Sequence, residues 1–341
     1  MILRYLLLST MFLGMCCACS EKSNVVKSLP NITVVTAING TGDNGYNDEI
    51  LSGIMDVNES NEVVLSLITP STIKEVEDLL DEWINAGQSE ERALLVLAEN
   101  EYEMLLHNIV LPDNKQILVF ESEGENMPDQ VSSFMIHRYG ISYLAGCMAS
   151  EAASAYVVAA MKSDSYIEDA VNGFIDGYAV SARETEVIYL ADDESGYAMP
   201  GEGYKVIGKI DEKSFIYPLA GGSNSGMYKA IREKEFSMNL IAGMDVDCSN
   251  YSNRVPFSVI FKIREVVSTL INEWISGGNL QSHYSFDLSD EEIVYISCSE
   301  SFFDNLTIWE DYYSTPDYWE QMYDRYKEAA IEKEKIYYEN R

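Results

Sequence analysis

Carboxylates, carboxamides and aromatic rings recur in this chain just after short apolar runs. Asp43, Tyr46 and Asn47 follow Ile32–Ile38, and Glu99 and Asn100 follow Ala93–Ala98. Tyr166 stands beyond Ala155–Met161, Gly221 and Gly222 close Ser214–Leu219, and Asp245 ends Asn239–Met244. Carboxylates accept hydrogen bonds from hydroxyls and exocyclic amines, and aromatic faces stack on flat rings. The set therefore suits a neutral polyhydroxyl ligand with a planar part, such as a nucleoside. It suits a phosphate poorly, because only helix N-termini and Lys262 would oppose that charge. Each position also has a plainer use. Asp245 could cap a helix, Tyr46 could only pack, and Lys262 could sit in a surface ion pair. Gly221 and Gly222 could serve close helix–strand packing.

Bond-making chemistry is harder to find. There is no Gly-x-Ser-x-Gly elbow, no phosphate-binding Walker loop and no His-Glu-x-x-His. His107, His137 and His283 are scattered. Asp245 and Asp247 lie two apart after a strand and would face different ways. Beyond the first twenty residues only Cys147, Cys248 and Cys298 remain, which make neither a disulfide framework nor a Cys-x-x-Cys metal site. No catalytic residue, metal or cofactor is expected.

These residues depend on a repeated scaffold. Ile32–Ile38 is a β-branched run; Gly40, Gly42 and Gly45 follow, and then Ile50, Leu51, Ile54 and Met55 at helical spacing. This is strand, glycine loop, helix. The alternation continues with strands at Glu62–Ile68, Ala93–Ala98, Gln116–Phe120 and Val131–His137, then Ala155–Met161, Thr185–Leu190, Ser214–Leu219 and Asn239–Met244. Helical patterns lie between them, one opening with Thr72 and Glu75 as a capping box. Others cover Ser142–Ala153, Ile167–Ala182, Gly226–Lys234 and Lys262–Ile275, with a further one around Tyr102–Ile109. Repeated βα units specify parallel sheets flanked by helices, with ligands at the carboxyl ends of the strands. Two runs, before and after about residue 132, predict an α/β protein of two doubly wound parallel-sheet lobes. Ala191–Tyr204, rich in glycine and acid, reads as a crossover helix shortened or replaced by a loop. Trp319, Met322, Tyr323 and Tyr326 make one face of a C-terminal helix opened by Pro316, expected to dock on the body.

Residues 1–18 read as a leader: Arg4, then an apolar stretch too short to span a bilayer, then Cys16-Cys17-Ala18-Cys19. A small residue before a cysteine resembles a lipoprotein cleavage site, and Cys19 is the best candidate for lipidation, with Cys17 second. Residues 19–30 are a tether. The formal charge of −33 argues against nucleic-acid binding and against adsorption to anionic membrane, so a lipid would have to provide any anchor.

GDNGYNDEILSGI (residues 43–54 with Gly42) resembles the opening motif of the basic membrane protein family, the nucleoside-binding lipoproteins of ABC importers. Asp43, Gly45, Tyr46, Asn47 and Gly53 take the family's places. RYGISYLAG (138–146), NGFIDGY (172–178), AGGSNSGMYKAI (220–231) and GMDVD (243–247) resemble later family segments in the same order, and Lys262 takes the place of a family lysine. The resemblance implies a type I periplasmic-binding-protein fold with a three-segment hinge and a ligand buried between lobes. It implies that Tyr46 stacks on a base, that Asp245 and Lys262 hold ribose hydroxyls, and that Asp43, Asn47 and the backbone at Gly222 complete the polar contacts. Tyr166, placed by topology, would be a second stacking residue.

The expected organisation is leader 1–18, tether 19–30, lobe one 31–132 plus 260–280, lobe two 133–259 plus 281–301, and extension 302–341. The resemblance also implies a monomer facing the periplasm or cell surface, with an ABC permease as partner. Gly45 for a serine, Cys248 for a glutamine, and the Asn39–Gly42 loop are departures that bear on the ligand more than the fold. An interaction lipoprotein that has kept the fold without a ligand, and a nucleoside-acting enzyme, are the alternatives.

Overall fold

The computed structural model describes residues 29–38, 40–86, 91–233, 239–299 and 318–341. The leader, the lipidation candidates and Pro316 lie outside these residues. Valine, isoleucine and leucine dominate the inner strands, whose side chains are buried on both faces. β1 (Asn31–Val35), β2 (Val64–Ile68), β3 (Ala93–Leu97), β4 (Lys115–Phe120) and β5 (Val131–Ile136) enter one parallel sheet. β12 (His283–Phe286) completes it, in the order β12-β5-β4-β3-β1-β2.

The second lobe has β6 (Ser154–Ala159), β7 (Thr185–Tyr189), β8 (Ser214–Leu219) and β9 (Leu240–Ile241), parallel in the order β7-β6-β8-β9. Beside it runs a sheet of β10 (Gly243–Asp245), β11 (Phe257–Phe261) and β13 (Val294–Cys298), with β13 antiparallel. Ala242 donates its N–H to the Ile216 carbonyl at 3.0 Å, so the β8 ladder reaches the gap between β9 and β10.

Sheet membership differs from the boundaries expected above. Val131–Ile136 and His283–Phe286 belong to the first sheet, although 133–259 and 281–301 were assigned to lobe two. The chain leaves that sheet after Ile136, returns after Phe261 and leaves again after Phe286. An extended run carries no mark of its partner in a parallel sheet, because pairing is set by residues far away in sequence. β11, β12 and β13 were also missed: β11 and β13 follow no helix of the repeat, and β12 is only four residues long.

The α-helices are α1 (Tyr46–Ser60), α2 (Ile73–Asn85), α3 (Tyr139–Met148) and α4 (Ser165–Tyr178), then α5 (Pro200–Val206), α6 (Asn224–Glu233), α7 (Ile263–Ile275) and α8 (Tyr318–Glu339). Thr72 caps α2 by accepting the Glu75 N–H at 3.2 Å, while the Glu75 carboxylate takes the Ser71 N–H. The segment around Tyr102 is a 3-10 turn, Asn100–Leu105, not an α-helix. Within Ala191–Tyr204 the crossover helix is shortened, not lost. Glu194–Ala198 forms a 3-10 turn, and Pro200 then opens α5, where its fixed φ and missing N–H are tolerated.

α3 is buried along its whole length. It lies so close to α4 that a Cβ on Gly177 would sit 2.0 Å from the Tyr143 carbonyl oxygen. α8 docks on the body: Trp319 is buried 5.4 Å from the Phe257 ring, and Met322 is buried with it. Glu334 accepts N–H groups from Gly140 at 2.8 Å and Leu288 at 2.9 Å, bridging two of the segments that cross between lobes. No helix among the described residues is long and apolar enough to cross a membrane.

Candidate ligand-binding cleft

The loop between β1 and α1 is ordered by its own carboxylates. Asp43 accepts the Gly45, Asn47 and Asp48 N–H groups at 3.0, 2.9 and 3.2 Å, capping α1. Asp48 takes the N–H groups of Gly42 and Asn44 at 2.7 and 2.8 Å. This holds Tyr46 and Asn47 at the carboxyl end of β1. From the other lobe, the β10 terminus presents Asp245 to the same loop. A Cβ on Gly45 would lie 2.9 Å from an Asp245 carboxylate oxygen, so the loop approaches only because residue 45 has no side chain.

These elements enclose a cleft of about 790 Å³. Asp43, Tyr46, Asn47, Glu99, Asn100, Tyr166, Gly221, Gly222 and Asp245 all line it, as the strand-end rule predicts. Lys262 does not. Phe261 turns into the cleft, and the period-two alternation of a strand sends its successor elsewhere. The Lys262 ammonium lies 5.8 Å from the Tyr295 ring instead. A second, more open cavity of about 720 Å³ adjoins the first and shares Asp43, Gly221, Asn224 and Asp245 with it.

At the floor is a charged pair that sequence reasoning missed. Arg138 donates to Glu121 through two bonds, Nη2 to Oε1 at 2.9 Å and Nη1 to Oε2 at 3.1 Å. The Arg138 guanidinium carbon lies 5.7, 5.2 and 5.3 Å from the ring centres of Tyr46, Tyr166 and Phe261. The Tyr46 hydroxyl donates to the Glu121 carboxylate, and the Tyr166 hydroxyl to the Glu121 carbonyl. Burial works against the Arg138 charge, but Glu121 outweighs it and holds the guanidinium above its ordinary pKa. Burial pushes both tyrosines up. Tyr46 thus offers one face to an internal cation, where a ligand base was expected to have it free. Glu121 and Arg138 each stand just beyond a strand end, so the rule that found the other residues could have found them.

The lining beside this pair is acidic, with no second basic side chain. Glu99 accepts only the Asn100 N–H at 3.1 Å among the described residues. Burial pushes its carboxyl up to about 8, helped by the charges of Asp164, Glu101 and Glu194. Contact with Glu101, then burial, raises Glu194. Asp164 caps α4 and takes the Tyr197 hydroxyl. Asp245 is pushed up to about 7 by burial and by Asp43, with Arg138 pulling the other way. Asp245 and Glu121 both hold left-handed backbone, φ 68° and 52°, which costs a non-glycine residue about 1–2 kcal/mol. No group of three or more metal-ligating side chains occurs among the described residues.

Two lobes joined by three crossings around a strand-end cleft define a type I periplasmic-binding-protein fold. The sequence model of the family described as "Bmp: ABC transporter substrate-binding protein PnrA-like" matches residues 32–307, and the chain belongs to that family. No curated protein is significantly similar to it. Among solved structures it is similar to an ABC-transporter solute-binding protein from Aeropyrum pernix K1. That match has 18% identity and a TM-score of 0.68, covering 89% of this chain and 86% of the other. A transcriptional activator of the comK gene from Bacillus halodurans matches at 15% identity and a TM-score of 0.62, over 89% and 98% of the two chains. A solute-binding protein from Conexibacter woesei matches at 10% identity and 0.58, over 90% and 97%. At these identities the structures speak to fold alone.

Proposed function

We propose that this protein is a lipid-anchored receptor of the bacterial cell envelope. It captures a nucleoside or similar hydroxyl-bearing solute between its lobes and delivers it to an ABC permease. The carrying observation is that strand-end residues from both lobes line one cleft, with the carboxamides of Asn47 and Asn100 and the glycine backbone at Gly221–Gly222. Asp43, Tyr46, Asn47, Glu99, Asn100, Tyr166, Gly221, Gly222 and Asp245 form the binding set. Asp43 acts through the loop it caps, and Lys262 has no part. Lobe closure over the ligand is the working motion, and no bond is made or broken. The protein acts as a monomer, anchored through Cys19.

One observation favours a second reading, an interaction protein that has kept the fold: Arg138 already lies against the rings of Tyr46, Tyr166 and Phe261. Calorimetry of the purified protein against purine and pyrimidine nucleosides separates the two. Saturable heat with at least one nucleoside is expected. Silence across the panel, with a folded circular-dichroism spectrum, removes the nucleoside claim.

A further inference from the structure

The C-terminal helix α8 touches more than docking requires. Trp319, Met322 and Ala330 already bury its apolar side against the body. Its last two turns reach the segments that cross between the lobes. The first and third crossings leave the first sheet side by side. β5 pairs with β12 as far as Ile136 and Phe286, and His137 then donates its N–H to the Phe286 carbonyl at 2.8 Å. Beyond that point the Gly140 and Leu288 N–H groups both go to Glu334, one to each carboxylate oxygen, at 2.8 and 2.9 Å. Arg138 donates its N–H to the Tyr338 hydroxyl at 3.4 Å. The Tyr338 ring lies 4.0 Å from the His137 ring, and Tyr337 stacks on Tyr139 at 3.9 Å. The Tyr337 and Tyr338 hydroxyls donate to Asp169 of α4 at 2.9 and 3.0 Å, which ties the same turn to lobe two.

Glu334 is only 3% exposed. A buried carboxylate is costly even when it is bonded, so a helix that only had to dock would carry an apolar residue there. The two crossing N–H groups account for the charge. A Cβ on Gly140 would collide with the same carboxylate, so the close approach needs glycine. Closure of two lobes turns on the few crossing residues that absorb the change in φ and ψ. α8 grips those residues from outside, and one of them, Arg138, is also the floor of the cleft. We propose that the last turns of α8 are a hinge clasp: Glu334, Tyr337 and Tyr338 are positioning residues that limit how far the lobes open and, through Arg138, fix the cleft floor. The use of the clasp rests on the solute-receptor reading, in which closure is the working step. None of the three residues lines the cleft.

Small-angle X-ray scattering and amide hydrogen exchange on the empty full-length chain test this, with calorimetry against adenosine beside them. Glu334→Gln keeps the shape but turns one acceptor into a donor. It should speed exchange at Gly140 or Leu288 about tenfold, the worth of one charge-assisted bond, and raise the radius of gyration above the parent's. Tyr338→Phe keeps the ring on His137 but drops the bonds to Asp169 and Arg138, and should shift both readings the same way by less. Tyr318→Phe removes a bond from the same helix to the Met148 carbonyl, away from the crossings, and should move neither. Should Glu334→Gln fail to fold, Tyr338→Phe decides on the same readings. Lower stability with the parent's radius and the parent's exchange at the crossings means that these residues only fasten the helix, and overturns the inference. Equal shifts in all three variants overturn it too. Where adenosine binds the parent, Glu334→Gln should bind it about threefold to tenfold more weakly, because the closed fraction falls; unchanged affinity overturns the inference. No adenosine heat from any protein, with the scattering and exchange shifts present, removes the nucleoside claim and leaves the clasp.

Discussion

Two sets of carboxylates line the same cleft, and their surroundings are opposite. Glu121 has a bidentate arginine, a tyrosine hydroxyl and the Ile136 N–H at 3.1 Å on its carboxylate. Glu99, Glu101 and Glu194 have each other. The first set is complete, so it ties β4, the first crossing and α4 into one unit. The second set is unfinished: Glu101 is exposed, Glu99 and Glu194 are partly buried, and no basic side chain of the cleft lining meets them. The difference teaches that acid content alone does not mark a site. The balance of partners around each acid does.

The comparison can be broken most severely at the completed set. Arg138→Met strands Glu121, and loss of one partner from a buried ion pair costs about 3–5 kcal/mol. Urea denaturation should register that loss, and the double variant Arg138→Met/Glu121→Gln should recover much of it. If the single variant is as stable as the parent, the pair is not the structural unit described here.

The unfinished set should behave in the opposite sense. Burial raises Glu99 to about 8 and Asp245 to about 7, above their unfolded values. The unfolded chain therefore releases those protons first, and the ligand-free protein should lose stability as pH rises from about 4 to about 8. Glu99→Gln should stabilise the empty protein at pH 8.5, by about 1–2 kcal/mol on the usual cost of an unpaired buried group, and change little near pH 4. Thermal melts across that range read the difference. A uniform shift at all pH values would mean that Glu99 is not held out of water.

The mildest change sharpens the boundary between the sets. Tyr166→Phe keeps the ring beside Arg138 but removes the hydroxyl that crosses from α4 to the Glu121 carbonyl. A loss of about 1 kcal/mol is expected, the net worth of one neutral hydrogen bond. A much larger loss in the same melts would mean that the hydroxyl, not the ion pair, holds the lobes together.

The fold and most of the cleft were legible from sequence because both rest on local signals. β-branched runs, glycine loops and helical spacing each declare themselves within about fifteen residues, and ligands collect where strands end. Asp43 to Asp245 could therefore be gathered without coordinates. What the residues do in the cleft was less legible. Asp43 turned out to be the helix cap, a use that had been considered for Asp245. Lys262 left the site because Phe261 took the inward register. Tyr197 escaped because Ala191–Tyr204 broke the repeat and offered no periodic pattern, although a 3-10 turn places its hydroxyl on Asp164.

The amino-acid sequence alone determined the α/β class, the two-lobed plan and which strand ends converge, since each follows from patterning over a few turns or strands. The tertiary structure decided which lobe owns Val131–Ile136 and His283–Phe286, because parallel pairing joins residues up to 150 apart. It also decided which carboxylates are satisfied. That depends on the partner opposite, and Arg138 meets Glu121 only after β4, β5 and the first crossing have been brought side by side.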